Sequence, residues 1–429
     1  MFGNGVFGGC AMGEAARVCL CIDLRSFYAT VEAVDRGLDP MEARLVVADP
    51  DRSANTICLA VSPRLKAEGV RNRCRMADVP RGRGVVVARP RMARYLEASC
   101  EVVACLLEHV SADDVHVYSV DESFIEIGPY LPYYGLTARA MAKRLQGAVA
   151  ERLGYPATCG VGPNPFVAKV ALDVLAKHDA EGICELDLAA FYRDIWFHRP
   201  ITDIWQVGPA TARRLASAGI VDLAGVAAAD PRELGRLLGP ARARLLVDHA
   251  WGLEPTTVAE ASAWEPRGRS MARGQVLLRD YTTAEAATVV REMADDLALS
   301  AESGGWDAER LTLTVGYSGD SWPATGGSRP LDGPLTARGA AEAASAVFSA
   351  TVFPGVPVRR VDVALTGLTR EGRPRLFDPA SGDPRRERLD EARRAVAERF
   401  GRGSVILASS LLPEGTARDL AGRIGGHRA

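Results

Sequence analysis

Lysine is scarce in this sequence: only four of its 52 basic residues are lysines, at positions 66, 143, 169 and 177, and the rest are arginines. Since basic surface positions are filled by arginine, a lysine indicates a site that needs a compact ammonium group. The net charge of −2 excludes a general electrostatic attraction to nucleic acid. Any such attraction must come from local clusters, of which the arginine-rich segment 64–94 is one.

Other absences narrow the class of protein. The nine cysteines are odd in number and form no C-x-x-C pair, so the sequence predicts free thiols in a reducing cytosol and no zinc site. No apolar run approaches the ~18 residues that a membrane span needs. Residues 1–16 are rich in glycine and lack the basic start and apolar core of a signal peptide, so they are predicted to be a flexible extension.

Two separate stretches place acidic residues at the ends of apolar, β-prone runs. They are Cys21-Ile22-Asp23-Leu24-Arg25-Ser26-Phe27-Tyr28 and Tyr118-Ser119-Val120-Asp121-Glu122-Ser123-Phe124-Ile125. One acid at a strand end is commonly a surface residue, but three at two such ends are typical of strand-borne metal sites for phosphoryl transfer. The pattern predicts an enzyme that acts on phosphates.

Hydrophobic periodicity predicts the order of elements around these motifs. The order strand, helix, strand, strand, helix, strand indicates a split βαβ sheet, with Asp23 and Asp121 on adjacent central strands and a tight turn at Asp121-Glu122. A small unit is inserted after the first helix. The predicted elements are strands 18–24, 115–120, 123–127 and 157–161, helices 26–34, 92–110, 137–153 and 164–176, and, in the inserted unit, strands 45–48 and 56–61 and helix 63–69.

The second half of the chain predicts a helical region followed by another α+β domain. Ile204–Leu215 contains a Val-Gly-Pro turn that resembles a helix-hairpin-helix, whose backbone N–H groups can hold a DNA phosphate; a plain turn between helices is the alternative.

Segment 254–268 lacks periodicity and is predicted to be a linker. Strands are predicted at 275–278, 311–317, 327–331 and 360–365, helices at 285–301 and 336–353, and a tail helix whose apolar face is Leu389, Ala392, Val396, Ala397 and Phe400. No internal repeat is evident.

Four motifs, in order along the chain, resemble those of the Y-family of DNA polymerases, the translesion enzymes, and its UmuC-like branch more than its DinB-like branch. Asp23-x-x-x-Phe27-Tyr28 is similar to the first metal motif and its sugar-gating aromatic residue, and Ser119-x-Asp121-Glu122 to the second. Ser62–Val70 resembles the fingers helix, and Gly160-Val161-Gly162-Pro163-Asn164-x4-Lys169 resembles a palm segment.

The resemblance implies an α+β multidomain right-hand polymerase. Its expected parts are a ferredoxin-like (split βαβ) palm, small fingers, a helical helix-hairpin-helix thumb and an α+β little finger. The expected limits are 17–34 and 92–180 for the palm, 35–91 for the fingers, 183–253 for the thumb, 269–369 for the little finger and 370–429 for the tail.

The resemblance also implies the chemistry and the residues that perform it. Low-fidelity, template-directed synthesis on damaged DNA is expected to use two Mg²⁺ ions, with Mn²⁺ as a substitute, to join a dNTP to a primer 3′-hydroxyl. The expected catalytic and metal-binding residues are Asp23, Asp121 and Glu122, with the carbonyl of Leu24. The expected nucleotide contacts are Phe27, Tyr28, Lys66, Lys169 and Ser62, the last because Pro63 stands where DinB-like members often carry a tyrosine. Lys143 and Lys177 are expected on solvated helix faces.

Partners follow from the same resemblance. Primer-template DNA is expected against Val207, Gly208, Ala210 and Thr211 in the thumb, and against Arg269 and Ser270 at the start of the little finger, through phosphate contacts that do not read sequence. Leu376-Phe377 resembles the end of a sliding-clamp peptide but lacks its leading glutamine, so a flexible hinge is the alternative. An accessory subunit is a further expected partner, and the expected location is the bacterial cytosol.

Two other functional classes stay open from the sequence. A catalytically silent scaffold of the same fold, which binds DNA and recruits repair partners, is disfavoured because Asp23, Asp121 and Glu122 are all present. A helix-hairpin-helix nuclease or glycosylase is disfavoured because the hairpin has no neighbouring catalytic lysine and the sequence no cluster of metal-ligating histidines. Primer extension with Mg²⁺ separates the three.

Overall fold

The computed structural model of the chain describes residues 17–51, 55–80, 82, 84–265, 269–319, 321–370, 384–401, 403–424, 427 and 428. The chain divides into two compact units, Met1–Trp264 and Glu265–Ala429, each described below by itself. No helix within the described ranges is long and apolar enough to cross a lipid bilayer.

The first unit alternates short strands and helices before it becomes entirely helical. Its elements are β1 (Cys19–Leu24), α1 (Phe27–Val34), β2 (Leu45–Val47), β3 (Ala60–Val61), α2 (Pro63–Ala67), β4 (Val86–Ala88), α3 (Met92–Leu107), β5 (Val115–Val117), β6 (Glu122–Glu126), α4 (Tyr130–Tyr134), α5 (Ala138–Leu153), β7 (Ala157–Gly162), α6 (Pro165–Val170), β8 (Ile183–Glu185), α7 (Leu188–Asp194), α8 (Pro209–Ser217), α9 (Leu223–Ala228), α10 (Pro231–Leu238), α11 (Pro240–Ala250) and α12 (Val258–Ala263).

Strand β1 lies at the centre of a five-stranded sheet with the order β5-β6-β1-β7-β8. It pairs antiparallel with both β6 and β7, which confirms the split βαβ sheet; the parallel edge strand β8 was not predicted. Both faces of β1 are covered: Leu20 and Ile22 pack with side chains of α3 and α5, and Cys21 packs with Ala168 and Leu172 on the opposite face. A strand that is buried on both faces typically has a continuous run of apolar residues in its sequence, and β1 has such a run.

The helical segment after β7 lies directly on the sheet. It begins at Asn164, whose side-chain Oδ1 accepts a 2.9 Å hydrogen bond from the Val167 N–H. It then continues beyond α6 as a π-helical turn, Ala171–Leu175. A Cβ at Gly160 of β7 would meet the carbonyl oxygen of Ala168 at 2.1 Å, so only glycine lets the helix approach this closely.

The inserted unit has a three-stranded sheet with the order β3-β2-β4. The predicted strands at 45–48 and 56–61 and the helix at 63–69 are confirmed in shorter form, but β4, which runs parallel to β2, was not predicted. Four arginines of segment 64–94 form ion pairs with carboxylates: Arg64, Arg89, Arg91 and Arg94.

The segment predicted as a linker, 254–268, contains a helix. Thr257 and Glu260 form a capping box at the start of α12, and Val258 is buried. The hydroxyl of Ser262 donates to the carbonyl of Val115 on β5, so α12 is docked on the first sheet. The Thr-x-x-Glu spacing was the sequence signal for this helix, and Pro255 together with the surrounding charges obscured it.

The second unit is an α+β domain, as predicted. Its elements are β9 (Ser270–Tyr281), α13 (Thr283–Ser303), β10 (Arg310–Tyr317), β11 (Thr325–Pro330), α14 (Ala337–Thr351), β12 (Val358–Thr366), α15 (Pro384–Phe400), α16 (Ala417–Ala421), β13 (Arg423–Ile424) and β14 (His427–Arg428). The main sheet has the order β11-β10-β12-β9. Side chains of α13 and α14 share a core with every second residue of β10, and the intervening residues of β10 are exposed or half-buried.

The predicted tail helix is present as α15, but its predicted apolar face is not what docks. Leu389 and Phe400 are 58% and 67% exposed. Instead Arg393 lies 2.6 Å from Asp295 of α13, and both side chains are about nine-tenths buried. The contact is therefore an ion pair flanked by the half-buried Val396 and Ala397.

Candidate active site

A cleft of about 660 Å³ opens between the first sheet and the inserted unit. It is lined by the ends of β1 and the loop before β6, by the start of α1, and by side chains of the inserted unit. The residues that line it include Asp23, Leu24, Phe27, Tyr28, Lys66, Asp121 and Lys177. The two acidic motifs, separated in sequence, therefore meet at one cleft.

The pairing of β1 with β6 brings the acidic residues together. Asp23 is the direct cross-strand partner of Glu122, so both side chains leave the same face of the sheet. The Leu24 N–H donates a 2.9 Å hydrogen bond to the carbonyl of Asp121. Glu122 is the first residue of β6 and not part of a tight turn, because the turn occupies Tyr118–Asp121; this corrects the predicted hairpin.

A chain of alternating charges connects Glu122 to Asp23 across the helical segment. Lys169 Nζ lies 2.6 Å from Glu122 Oε1 and 3.0 Å from Asp173 Oδ2. Lys177 Nζ lies 2.8 Å from Asp173 Oδ1 and 2.9 Å from Asp23 Oδ2. Asp173, in the π-helical turn, therefore holds both ammonium groups beside the two strand-borne carboxylates.

Lys177 is partly exposed, with 40% of its side chain accessible, but its ammonium also lines the cleft and contacts Asp23, which was not predicted. The more exposed Lys143 pairs with Glu181, which fits its predicted surface position. The sequence carried a signal for this: Lys169, Asp173 and Lys177 follow one another at intervals of four, which places them on one helix face. Lys177 is thus a site residue that the sequence reasoning missed, together with Asp173.

Burial and charge set the protonation of these groups. Burial raises the pKa of Asp23, aided by the nearby Asp121 and Glu122, and Lys177 only partly offsets this. Burial alone lowers the pKa of Lys177, but the carboxylates of Asp23 and Asp173 outweigh it, so the pKa of Lys177 lies above its usual value. The lysine therefore stays charged at neutral pH.

Lys66, which also lines the cleft, has different contacts. Its Nζ donates 2.8 Å to the hydroxyl of Ser26, and burial lowers its pKa. Ser62, predicted as a nucleotide contact, is 1% exposed, and its hydroxyl accepts a hydrogen bond from the Leu45 N–H. Ser62 therefore offers no surface to a ligand, and that prediction is corrected.

The two aromatic residues at the start of α1 differ in how far they are exposed to the cleft. Phe27 is 3% exposed and packs in the core, although its edge borders the cleft. Tyr28 is partly buried and lines the cleft, where burial and the charge of the nearby Asp121 raise its pKa. Only Tyr28 therefore presents a broad aromatic surface to a bound molecule.

The predicted helix-hairpin-helix leaves backbone donors free at the start of α8. No side chain caps this helix at Gly208, and Gly208 and Ala210 are exposed, with Thr211 half-buried. Val207 is different, because it is buried and its N–H donates to the carbonyl of Ile204. Val207 is therefore removed from the predicted phosphate contacts.

A second hairpin of the same type was missed. Gly239-Pro240-Ala241 repeats Gly208-Pro209-Ala210 and begins α11, again without a side-chain cap. The neighbouring α9 and α10 are both capped by aspartates, Asp222 and Asp230. The repeated Gly-Pro-Ala was the available signal, and it corrects the view that the chain has no internal repeat.

In the second unit, the predicted DNA contacts differ in availability. Arg269 lies 2.7 Å from Glu265 and stacks over the ring of Trp306, so its charge is already engaged. Ser270 is exposed at the start of β9. The predicted clamp peptide, Leu376-Phe377, lies outside the described residues, as do the extension 1–16 and Arg267-Gly268.

Comparison with known proteins agrees with this geometry. Residues 22–173 match the impB/mucB/samB family, residues 269–376 match the C-terminal domain of that family, and residues 199–250 match a SAM-like helix-hairpin-helix tandem. The putative UV-damage repair protein UvrX of Bacillus subtilis (strain 168) is 30% identical over 418 residues, 96% of this chain and 97% of the relative.

The chain belongs to the impB/mucB/samB family. The protein named DNA polymerase IV 2 of Bacillus subtilis (strain 168) is 29% identical over 96% of this chain and 98% of its own length. A solved Y-family DNA polymerase chimera, Dbh-Dpo4(243-245)-Dbh, shares the fold, with a TM-score of 0.65 over 82% of this chain and 99% of that one at 19% identity. The resemblance to the Y-family is confirmed, and the UmuC-like branch stays a prediction.

Membership of this family implies dependence on a divalent metal ion. The oxygen donors of Asp23, Asp121 and Glu122 suit a hard cation. Within the described part of the chain, no group of three or more His, Cys, Asp or Glu side chains is placed to hold a metal ion. The ammonium groups of Lys169 and Lys177 already neutralise two of the carboxylates, so a cation at Asp23 competes with Lys177.

Proposed function

We propose that this member of the impB/mucB/samB family is a low-fidelity, template-directed DNA polymerase that performs translesion synthesis in the bacterial cytosol. Its substrates are a dNTP and primer-template DNA, and its cofactor is Mg²⁺, two ions per site, with Mn²⁺ able to substitute. The observation that supports this most strongly is the register that sets Asp23 opposite Glu122, with Asp121 at the same cleft.

Each side chain has a distinct task in this proposal. Asp23, Asp121, Glu122 and the carbonyl of Leu24 would hold the cations. When bound, these lower the pKa of the primer hydroxyl and neutralise charge on the leaving pyrophosphate. Lys169, predicted as a nucleotide contact, is buried against Glu122 and is proposed instead to orient that carboxylate, to which Cys21 Sγ also donates at 3.1 Å.

Two lysines face the expected position of the triphosphate from opposite walls of the cleft. Lys66 comes from the inserted unit and Lys177 from the helical segment on the sheet. A cation held by Asp23 would replace the contact of that carboxylate with Lys177, and Asp173 would keep its own contact with the ammonium. Lys177 would then be available to donate to a phosphate of the nucleotide.

The protein is proposed to bind DNA through phosphate contacts that do not depend on the base sequence. The uncapped start of α8 offers backbone N–H groups to a phosphate at Gly208, Ala210 and Thr211, whereas at the start of α11 the N–H of Gly239 already donates to the carbonyl of Gly235. Ser270 contributes from the second unit. A sliding clamp at Leu376-Phe377 and an accessory subunit remain proposed partners.

Single-nucleotide incorporation tests the function. With Mg²⁺ and a primed template, the intact chain should add the nucleotide complementary to each template base in preference to the other three, with frequent errors. Addition without regard to the template would contradict template direction. Stable binding of primer-template with no addition of any nucleotide would favour the silent scaffold.

Replacing Lys177 should weaken nucleotide binding. We expect Lys177→Ala to raise KM for dNTP by about 10- to 100-fold, because alanine cannot donate a charge-assisted hydrogen bond to a phosphate. The matched control is Lys143→Ala, since that ammonium is exposed and pairs only with Glu181. Steady-state kinetics should show no change for Lys143→Ala; equal effects of the two substitutions would contradict the assignment.

Removing the ring of Tyr28 should open the site to ribonucleotides. We expect Tyr28→Ala to lower the preference for dCTP over CTP by about 100-fold, because the ring no longer blocks a 2′-hydroxyl. Incorporation of dCTP should persist. An unchanged preference, measured from kcat/KM for the two nucleotides, would refute this role of Tyr28.

A further inference from the structure

Behind Tyr28 lies a second tyrosine that the cleft does not expose. The ring of Tyr95, on α3, stacks against the ring of Tyr28 with centroids 4.5 Å apart and planes inclined by 17°. Tyr95 is 0% exposed. One face of Tyr28 is thus open to the cleft, and the other rests on a fully buried ring.

Tyr95 is itself held in place by a hydrogen bond from its hydroxyl to a buried carboxylate. Its hydroxyl donates 2.7 Å to Glu32 Oε1, and burial raises the pKa of Tyr95, so the hydroxyl keeps its proton. Glu32 is 0% exposed and accepts hydrogen bonds of 2.9 and 3.0 Å from the guanidinium of Arg91, and it also pairs with Arg36. A buried carboxylate with this many partners has little freedom to move, so the ring of Tyr95 is fixed in place.

Support from behind decides whether a side chain can act as a steric block. A tyrosine that only borders a cleft can yield to a bound sugar by a small rotation of its ring. A stacked partner removes that freedom, because retreat of Tyr28 would require overlap with Tyr95. The strength of the block then depends on Tyr95 as well as on Tyr28.

We propose that Tyr95 is a specificity-determining positioning residue: by fixing the ring of Tyr28, it sets how strongly the polymerase excludes ribonucleotides. The inference rests on the proposed role of Tyr28 as the sugar filter. Tyr95 touches no substrate, and it acts through the stack and through its hydrogen bond to Glu32.

The chain offers a matched control for a purely structural role. Tyr155 is 1% exposed and belongs to the same core cluster as Tyr95. Its hydroxyl accepts a 3.2 Å hydrogen bond from Arg94, and its ring meets Phe27 edge-on at 6.4 Å. It therefore has the burial and the polar anchor of Tyr95 but packs on Phe27 and not on Tyr28.

The test compares kcat/KM for dCTP and CTP opposite a template guanine in the full-length chain. We expect Tyr95→Leu to lower the preference for dCTP by roughly 10- to 50-fold, since this variant has neither the stack nor the anchor. Tyr95→Phe keeps the stack and should lower it by about 5-fold. Tyr155→Leu should lower the melting temperature but leave the preference at the wild-type value.

Tyr28→Ala separates failure of the inference from failure of the filter. If Tyr28→Ala relaxes the preference while Tyr95→Leu and Tyr95→Phe keep the wild-type value, Tyr95 is only a core residue and the inference is overturned. If Tyr28→Ala changes nothing, the filter itself is wrong and the inference fails with it. Should Tyr95→Leu not fold, Tyr95→Phe decides, and an unchanged preference in that variant overturns the inference.

Discussion

Gly160→Ala should unfold the first unit at a markedly lower temperature than the wild type. A Cβ at Gly160 would lie 2.1 Å from the carbonyl oxygen of Ala168, 2.3 Å from the nitrogen of Leu172 and 2.8 Å from its Cα. All three are backbone atoms of the helical segment that carries Lys169 and Lys177, so no rotamer change relieves the overlap. Overpacking of this kind costs at least about 3 kcal/mol.

Thermal unfolding measures this cost. We expect a fall in melting temperature of roughly 6–12 °C for a unit of this size. Gly147→Ala is the matched control, because a Cβ at Gly147, in the middle of α5, meets nothing within 4 Å. That substitution should raise stability by about 0.5–1 kcal/mol, as expected for glycine to alanine in a helix. A Gly160→Ala variant as stable as wild type would mean that the helical segment does not lie on β7 as described.

Asp23→Ala should abolish nucleotide addition without loss of the fold. Replacing a residue that only orients a metal ligand typically costs 10- to 100-fold, so loss of a proposed ligand should cost more than about 100-fold. The pKa of Asp23 is raised mainly by burial, so its charged form is costly in the folded protein and removing it should not lower stability. The measurements are single-turnover addition and thermal unfolding.

Glu151→Ala serves as the control for loss of an acidic group, since Glu151 is exposed near the end of α5. Its rate should equal that of the wild type. Full activity of Asp23→Ala would exclude this residue from the reaction. A large fall in melting temperature for Asp23→Ala would instead make it a structural partner of Lys177.

The parts of the fold that the sequence predicted are those set by local pattern. The order of elements predicted the central position of β1 and placed Asp23 beside Asp121; the direct cross-strand partner of Asp23 is Glu122, one residue further along. Alternation of apolar residues predicted all four long strands of the second unit. Such signals are local and need no knowledge of distant contacts.

The predictions that were wrong or incomplete concern residues whose position depends on contacts with residues distant in the sequence. The contact of Lys177 with Asp23 was missed because Asp23 is distant in the sequence and nothing within the helical segment after β7 indicates it. The docking of α15 through Arg393 was missed for the same reason, since a buried ion pair with Asp295 is invisible in a hydrophobic pattern. Ser62 was misjudged because its hydroxyl is used by Leu45, seventeen residues away in the chain.

The most direct test of the account is primer extension past an abasic site with Mg²⁺, comparing the intact chain with the double variant Asp121→Ala, Glu122→Ala. The account predicts that the intact chain extends primers on the undamaged template and past the abasic site, and that the double variant binds the same DNA but extends neither. Extension by the double variant at the wild-type rate, or no extension by the intact chain on either template, would contradict it.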